Sequence, residues 1–222
     1  MHYCIRIFSL SIACVFAAFF ETMVHAQSTL VVSDSIRQVN ACFIDAPIVI
    51  DGVLDESCWD QAAIIRDFIQ SEPDEGSPAS EQTEVKVLYD IDTMYIGVIC
   101  YDSEPEKIIH NQMQVDGFLE DDDNVTIIFD TFNDQRGGFY FRVNPNGARA
   151  DAKIGSSRMV RQRRQTSTQR AISSLIPLGV DRISYDWNGV WDVSARITPE
   201  GWVAELVIPF STLRFKTADL QE

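Results

Sequence analysis

The chain has 222 residues, with 33 Asp and Glu against 18 Lys and Arg, and a net charge of −15. That balance excludes nucleic acid as the main partner, because such binding needs Lys and Arg to neutralise phosphates. A hydrophobic fraction of 45% suffices for one sizeable core, and the excess of carboxylates suits a soluble exported protein.

Residues 1–26 read as a secretory signal peptide. Arg6 supplies the positive start, IFSLSIACVFAAFF the apolar stretch, and Val24 and Ala26 the small residues before cleavage at Gln27. The apolar stretch is about 14 residues, short of the ~20 that span a bilayer. A retained N-terminal anchor is the alternative. No Cys follows the cleavage point, so no lipoprotein signal is expected. The predicted location is therefore periplasm, cell envelope or extracellular space. Residues 27–42 read as a polar leader and 43–222 as one domain. Beyond the signal peptide the cysteines are Cys42, Cys58 and Cys100. Their odd number and wide spacing give neither a disulfide framework nor a zinc pattern. One Cys42–Cys58 bridge is open.

The domain reads as strands, beginning with IVID (48–51), a short apolar run closed by the turn signal Asp51-Gly52. In LDESCWDQAA, Asp55 is a good N-cap and Leu54 with Trp59 fits a hydrophobic staple. One short helix is predicted near 55–62, with Trp59 turned inward. TEVKVLYD alternates Val85, Val87 and Tyr89 with Glu84, Lys86 and Leu88, the period-two pattern of a half-buried strand. It pairs with DTMYIGVICYD across Ile91-Asp92. NVTIIFD pairs with GGFYFRVN, and VWDVSARITP with GWVAELVIPF across Pro199-Glu200-Gly201. About seven or eight short strands with a single short helix predict an all-β fold, an antiparallel β-sandwich of immunoglobulin or jelly-roll type. SSRMVRQRRQTSTQR (156–170) gathers five arginines. It reads as a solvated loop between strands or as a basic arm for an acidic partner.

Catalytic signals are sparse. His110 is the sole histidine beyond residue 26, and no GxSxG, HExxH or Gly-rich phosphate loop is present. Carboxylates abound, and a glycosidase needs only two across a cleft. Glu205 stands among apolar neighbours in WVAELVIPF. By alternation it faces away from Trp202, Ala204, Leu206 and Ile208, either as an acid in a pocket or as a paired structural carboxylate. Glu120, Asp121, Asp122, Asp123 and Asn124 form a run of hard oxygen donors before a strand, with Asp121 to Asn124 as the candidate metal ligands. A structural calcium ion and a solvated acidic loop are the two readings.

Sugars offer C–H faces to aromatic rings and hydroxyls to polar side chains. In GGFYFRVN, Phe139, Phe141 and Val143 point to the core, leaving Tyr140, Arg142 and Asn144 as a polar-aromatic row on the other face. In SYDWNGVWDV, Trp191 lines up with Val193, Ala195 and Ile197 as core. Trp187 precedes the strand beside Asp186 and Asn188, as a ligand platform or a lid over the sandwich end.

Seven stretches taken together resemble a known family: IDGVLDESCWDQA, PASEQTEVKVLYD, MYIGVICYDSEP, DDDNVTIIFDTFND, GFYFRVNPNGARAD, WNGVWDVSARIT and GWVAELVIPFSTLRF. They occur in order across about residues 43 to 215, and they resemble the family 9 carbohydrate-binding module. The resemblance implies a β-sandwich related to the DOMON superfamily, and binding of an oligo- or polysaccharide without catalysis, in company with glycoside hydrolases and carbohydrate catabolism. It also implies a sugar end held between two tryptophans, and structural calcium. Only Trp187 matches one of those tryptophans. In the branch that opens large exported proteins, an outer-membrane-barrel-like region follows the module. That region and a closing strand after LRF are missing here, so a fragment is expected. Two other functions compete: a glycoside hydrolase using Glu205 with one of Asp121 to Asp123, and a structural periplasmic domain of an outer-membrane protein.

Overall fold

The computed structural model describes residues 2–3, 39–46, 48–134, 137–155 and 183–214, all belonging to one structural unit. The predicted signal peptide apart from residues 2–3, most of the leader, the arginine-rich stretch 156–170 and the end after 214 lie outside the described residues.

The fold is all-β, two sheets packed face to face. The strands are β1 (His2–Tyr3), β2 (Cys42–Phe43), β3 (Ile64–Ile65), β4 (Thr83–Tyr89), β5 (Thr93–Tyr101), β6 (Asn124–Phe129), β7 (Gly138–Val143), β8 (Arg149–Ile154), β9 (Ile183–Ser184), β10 (Asp192–Thr198) and β11 (Gly201–Pro209). One sheet runs β1-β6-β7-β8-β9. The other runs β10-β11-β5-β4-β2, with β3 also on β4. The pairings are antiparallel except β1–β6 and β2–β4. The three predicted hairpins are present: β4–β5 with Tyr89 opposite Met94, β6–β7 with Phe129 opposite Phe139, and β10–β11 with Thr198 opposite Gly201.

Alternation places one face of each sheet in the shared core. Phe139, Phe141 and Val143 from β7 meet Val98, Trp202, Ala204, Leu206 and Ile208 from the other sheet. Trp191 joins them, its ring edge-on to Phe141 at 5.1 Å.

Two expectations are corrected. The helix near 55–62 is a single 3-10 turn, Trp59–Gln61. Its neighbours bury their side chains on a sheet rather than along a helix stripe. IVID is not a strand but part of a strap, residues 44–46 and 48–62, laid over the outer face of the β10-β11-β5-β4 sheet. Ile44, Ile48, Trp59 and Ala62 pack there with Leu88 and Tyr95 as a second core. Leu88, placed by alternation on the polar face, is therefore fully buried. Gly97 allows this approach, since a Cβ there would stand 2.8 Å from Leu54 and 3.1 Å from Trp59.

Candidate functional site

The outer face of the β6-β7-β8-β9 sheet carries the candidate site. Register sets Tyr140 of β7 opposite Ala152 of β8, and Arg142 opposite Ala150. Two bulky polar side chains thus stand beside two small ones, and the difference in height leaves a hollow. The loop 116–120 and Tyr185, just after β9, wall it. The result is a pocket of ≈ 210 Å³ lined by Asp116, Gly117, Phe118, Leu119, Glu120, Tyr140, Arg142, Ala150, Asp151 and Tyr185.

Its polar centre is Arg142. The guanidinium donates from Nη1 to Glu120 Oε1 at 2.9 Å and from Nε to Thr126 Oγ1 at 2.9 Å, and lies 5.2 Å from the centroid of the Tyr140 ring. These charge-assisted bonds fix the side chain before any ligand arrives. Burial holds the Tyr140 hydroxyl well above the ordinary phenol range, against the opposing charge of Arg142. Tyr185 is pushed up to about 12, by burial first and by the Glu120 charge second. Both phenols stay protonated and can donate. Tyr140 itself is 1% exposed, whereas Phe118 is 48% and Tyr185 42% exposed. The rings offered to solvent are the last two.

The acidic run holds the pocket wall in place. Asp122 accepts the backbone N–H of Asn111 at 3.0 Å, that of Gln112 at 2.8 Å, and Asn144 Nδ2 at 2.8 Å. Asp123 accepts the N–H of Ile109 at 2.7 Å. Asn124 donates to the carbonyls of Leu119 and Asp122. The 109–124 excursion is thereby stitched to the start of β6. Calcium wants six to eight oxygens. Here the carboxylates of Asp122 and Asp123 face N–H donors, Asp121 is exposed, and no group of three or more His, Cys, Asp or Glu converges among the described residues. The run does not fit a calcium cage.

The sequence-predicted residues therefore separate. Tyr140 and Arg142 come together in the pocket. Asn144 does not line it. It is 0% exposed and serves as an internal staple. Its Nδ2 donates to Gln112 O and Asp122, and its Oδ1 accepts the N–H of Asn146 and Ala148. Trp187 also lies outside the pocket. Its ring is half-buried against the sandwich core, 5.1 Å from Phe139 and 6.0 Å from Phe141. It folds over Gly189, where a Cβ would meet the ring at 2.7 Å. This is the lid over the sandwich end. Asp151 holds the segment down, accepting Trp191 Nε1 at 2.7 Å and the Gly189 N–H at 3.3 Å. Burial raises the Asp151 pKa, and those two bonds oppose the rise.

Glu205 is 0% exposed beneath the strap. Its Oε2 accepts the N–H groups of Asp51 and Gly52 at 2.9 and 2.8 Å. It is a structural carboxylate. Neither Glu205 nor Asp121 to Asp123 lines the pocket. Residue reasoning missed Phe118, Glu120, Asp116 and Tyr185 as pocket residues. Alternation carried no signal for Tyr185: two positions from Trp187 it should share that ring's face, yet it lines the pocket while Trp187 packs on the core.

An all-β sandwich with a rigid, aromatic-rimmed polar hollow on one outer sheet face is the architecture of a ligand-binding module. The chain belongs to the carbohydrate family 9 binding domain-like family, whose model matches residues 50–221, and it is a carbohydrate-binding module of that kind. Solved structures similar to it include a family 9 carbohydrate-binding module from Caldicellulosiruptor kristjanssonii. In complex with cellotriose that module shows 15% identity and a TM-score of 0.45, covering 77% of this chain and 67% of that one. In complex with glucose the figures are 16%, 0.46, 81% and 73%. A candidate carbohydrate-binding protein from Bacteroides uniformis ATCC 8492 shows 12% identity and a TM-score of 0.51, covering 82% and 78%. At such identities the likeness is one of fold, and the family assignment rests on the family model. A search of curated proteins found no match.

Proposed function

We propose that the pocket between the 116–120 loop and Tyr185 is the sugar site, and that the module binds an oligo- or polysaccharide there without cleaving it. One observation carries this reading: two exposed rings, Phe118 and Tyr185, flank the fixed Arg142–Glu120 pair in one hollow. The rings present flat apolar faces to sugar C–H groups, and the ion pair presents donors and an acceptor to hydroxyls. The glycosidase alternative loses its pair, because Glu205 lies under the strap and away from the acidic run. The glucose and cellotriose held by the Caldicellulosiruptor module are the first sugars to try. Calorimetric titration of the purified module with both is expected to show saturable binding, with no reducing sugar released from cellotriose. Release of glucose would favour the enzyme reading. No binding to any saccharide would favour a purely structural domain.

We further read the module as exported, from the charge and hydropathy pattern of residues 1–26, and as the binding part of a larger envelope protein, from the branch of the family it resembles. Fractionation of cells expressing the tagged full-length protein tests both, since a cytoplasmic product would contradict them.

A further inference from the structure

We propose that the pocket prefers saccharides carrying a free ammonium group, such as 2-amino-2-deoxyhexose units, over their neutral counterparts, and rejects uronates. The inference rests on the sugar-site reading above and names the ligand class for that site. The pocket lining sets two acids, Asp116 and Glu120, against one guanidinium, Arg142; the third lining acid, Asp151, stands opposite Phe141 and turns its carboxylate to Trp191 on the core side. Their free capacity for a ligand is unequal. Asp151 is already occupied by Trp191 Nε1 and the Gly189 N–H. Arg142 spends Nε and Nη1 on Thr126 and Glu120. Glu120 pairs with Arg142 through Oε1 alone, while its Oε2 is buried and has no hydrogen-bond partner. That oxygen is closed to a ligand as it is to water, so Glu120 offers the pocket little beyond its pair with Arg142.

Asp116 is the uncompensated carboxylate at the mouth. Its backbone sits in the left-handed region at φ 56, a conformation tolerated by few side chains other than Asn, Asp and Gly. Its N–H is tied to Arg149 O at 2.8 Å, so the turn holds it at the rim, where it is exposed. An ionised carboxylate only accepts. A bound anion would meet net repulsion here. A hydroxyl satisfies the acceptors, and an ammonium does so with charge assistance, which strengthens the bond by about 1 kcal/mol, roughly fivefold in affinity.

The test compares two trimers with the same β-1,4-glucan backbone: cellotriose and its fully deacetylated 2-amino analogue, below the amine's own pKa. An oligogalacturonate serves as the anionic probe. The amino trimer is expected to bind about fivefold tighter. The gap should shrink with added salt, and the uronate should not bind. In an Asp116→Asn variant, which keeps the left-handed turn, the gap should close while cellotriose still binds. Equal affinity for the two trimers, or tighter uronate binding, would overturn the preference and leave the sugar site standing. A gap that persists in the Asp116→Asn variant would also overturn it. Absence of binding to all three would bring down both readings.

Discussion

At the residue scale, the segment SYDWNGVWDV divides its aromatics by what each ring can reach. Trp191 and Trp187 both pack on Phe141, while Tyr185 turns to the pocket. Tryptophan content alone suggested a platform at Trp187. The competing demand was to close the end of a core already rich in Phe, and it won. Asn144 shows the same contest. Its polar character suggested a ligand contact, but four internal bonds claim it. Asn144→Ala should therefore cost ~2–4 kcal/mol in urea denaturation, because buried partners lose their bonds; a near-silent variant would contradict the staple. Glu205 gives a pH signature. Burial raises its pKa, against the bonds from Gly52 and Asp51. A carboxyl with a raised folded-state pKa binds more protons folded than unfolded. Its contribution is thus fully present below the unfolded pKa and is lost as pH rises through the folded one. Relative to Glu205→Gln, the parent protein should lose stability as pH rises above the ordinary carboxylate range, followed by denaturation across pH. The opposite slope would contradict the account.

At the element scale, the strands with strong alternation, β4 to β7, β10 and β11, were legible because Val, Ile and aromatic residues mark the buried face. Strand β8 was not. Its RADAKI sequence has weak strand propensity, and its alanines are small for a reason visible only across the sheet: they sit beside Tyr140 and Arg142, and Ala150 forms the pocket floor. Ala150→Leu should fill that floor, abolish saccharide binding and cost ~1–3 kcal/mol through overpacking. Retained affinity in calorimetry would place the ligand elsewhere. The strap was read as a strand and a helix because its apolar residues follow local patterns. Nothing local says that they cover a sheet face from outside. The acidic run likewise reads as a calcium loop in sequence, and only the positions of residues 109–112 show that its carboxylates accept backbone N–H groups. Removing divalent metal with a chelator should shift Tm by less than about 1 °C, since a bound structural ion would add stability by mass action; a drop of several degrees on chelation would restore the calcium reading.

At the scale of the whole molecule, the two-sheet sandwich and the family were legible from ordered motifs spread along the chain. The site was legible only in part. Tyr140 and Arg142 follow from strand alternation, but Phe118, Glu120 and Tyr185 reach the pocket through loops whose paths no periodicity encodes. The central claim is that the ligand stacks on Tyr185 and not on Trp187. Calorimetric titration of cellotriose, or of any other saccharide the parent binds, into Tyr185→Ala and Trp187→Ala tests it most directly, with urea denaturation of each alongside. Tyr185→Ala should weaken binding about 30-fold, the loss of ~2 kcal/mol expected of a central aromatic contact, at little cost in stability. Trp187→Ala should cost ~2–4 kcal/mol in stability and leave the affinity of the folded protein unchanged. The reverse pattern, with affinity lost on removing Trp187 and kept on removing Tyr185, would contradict the account.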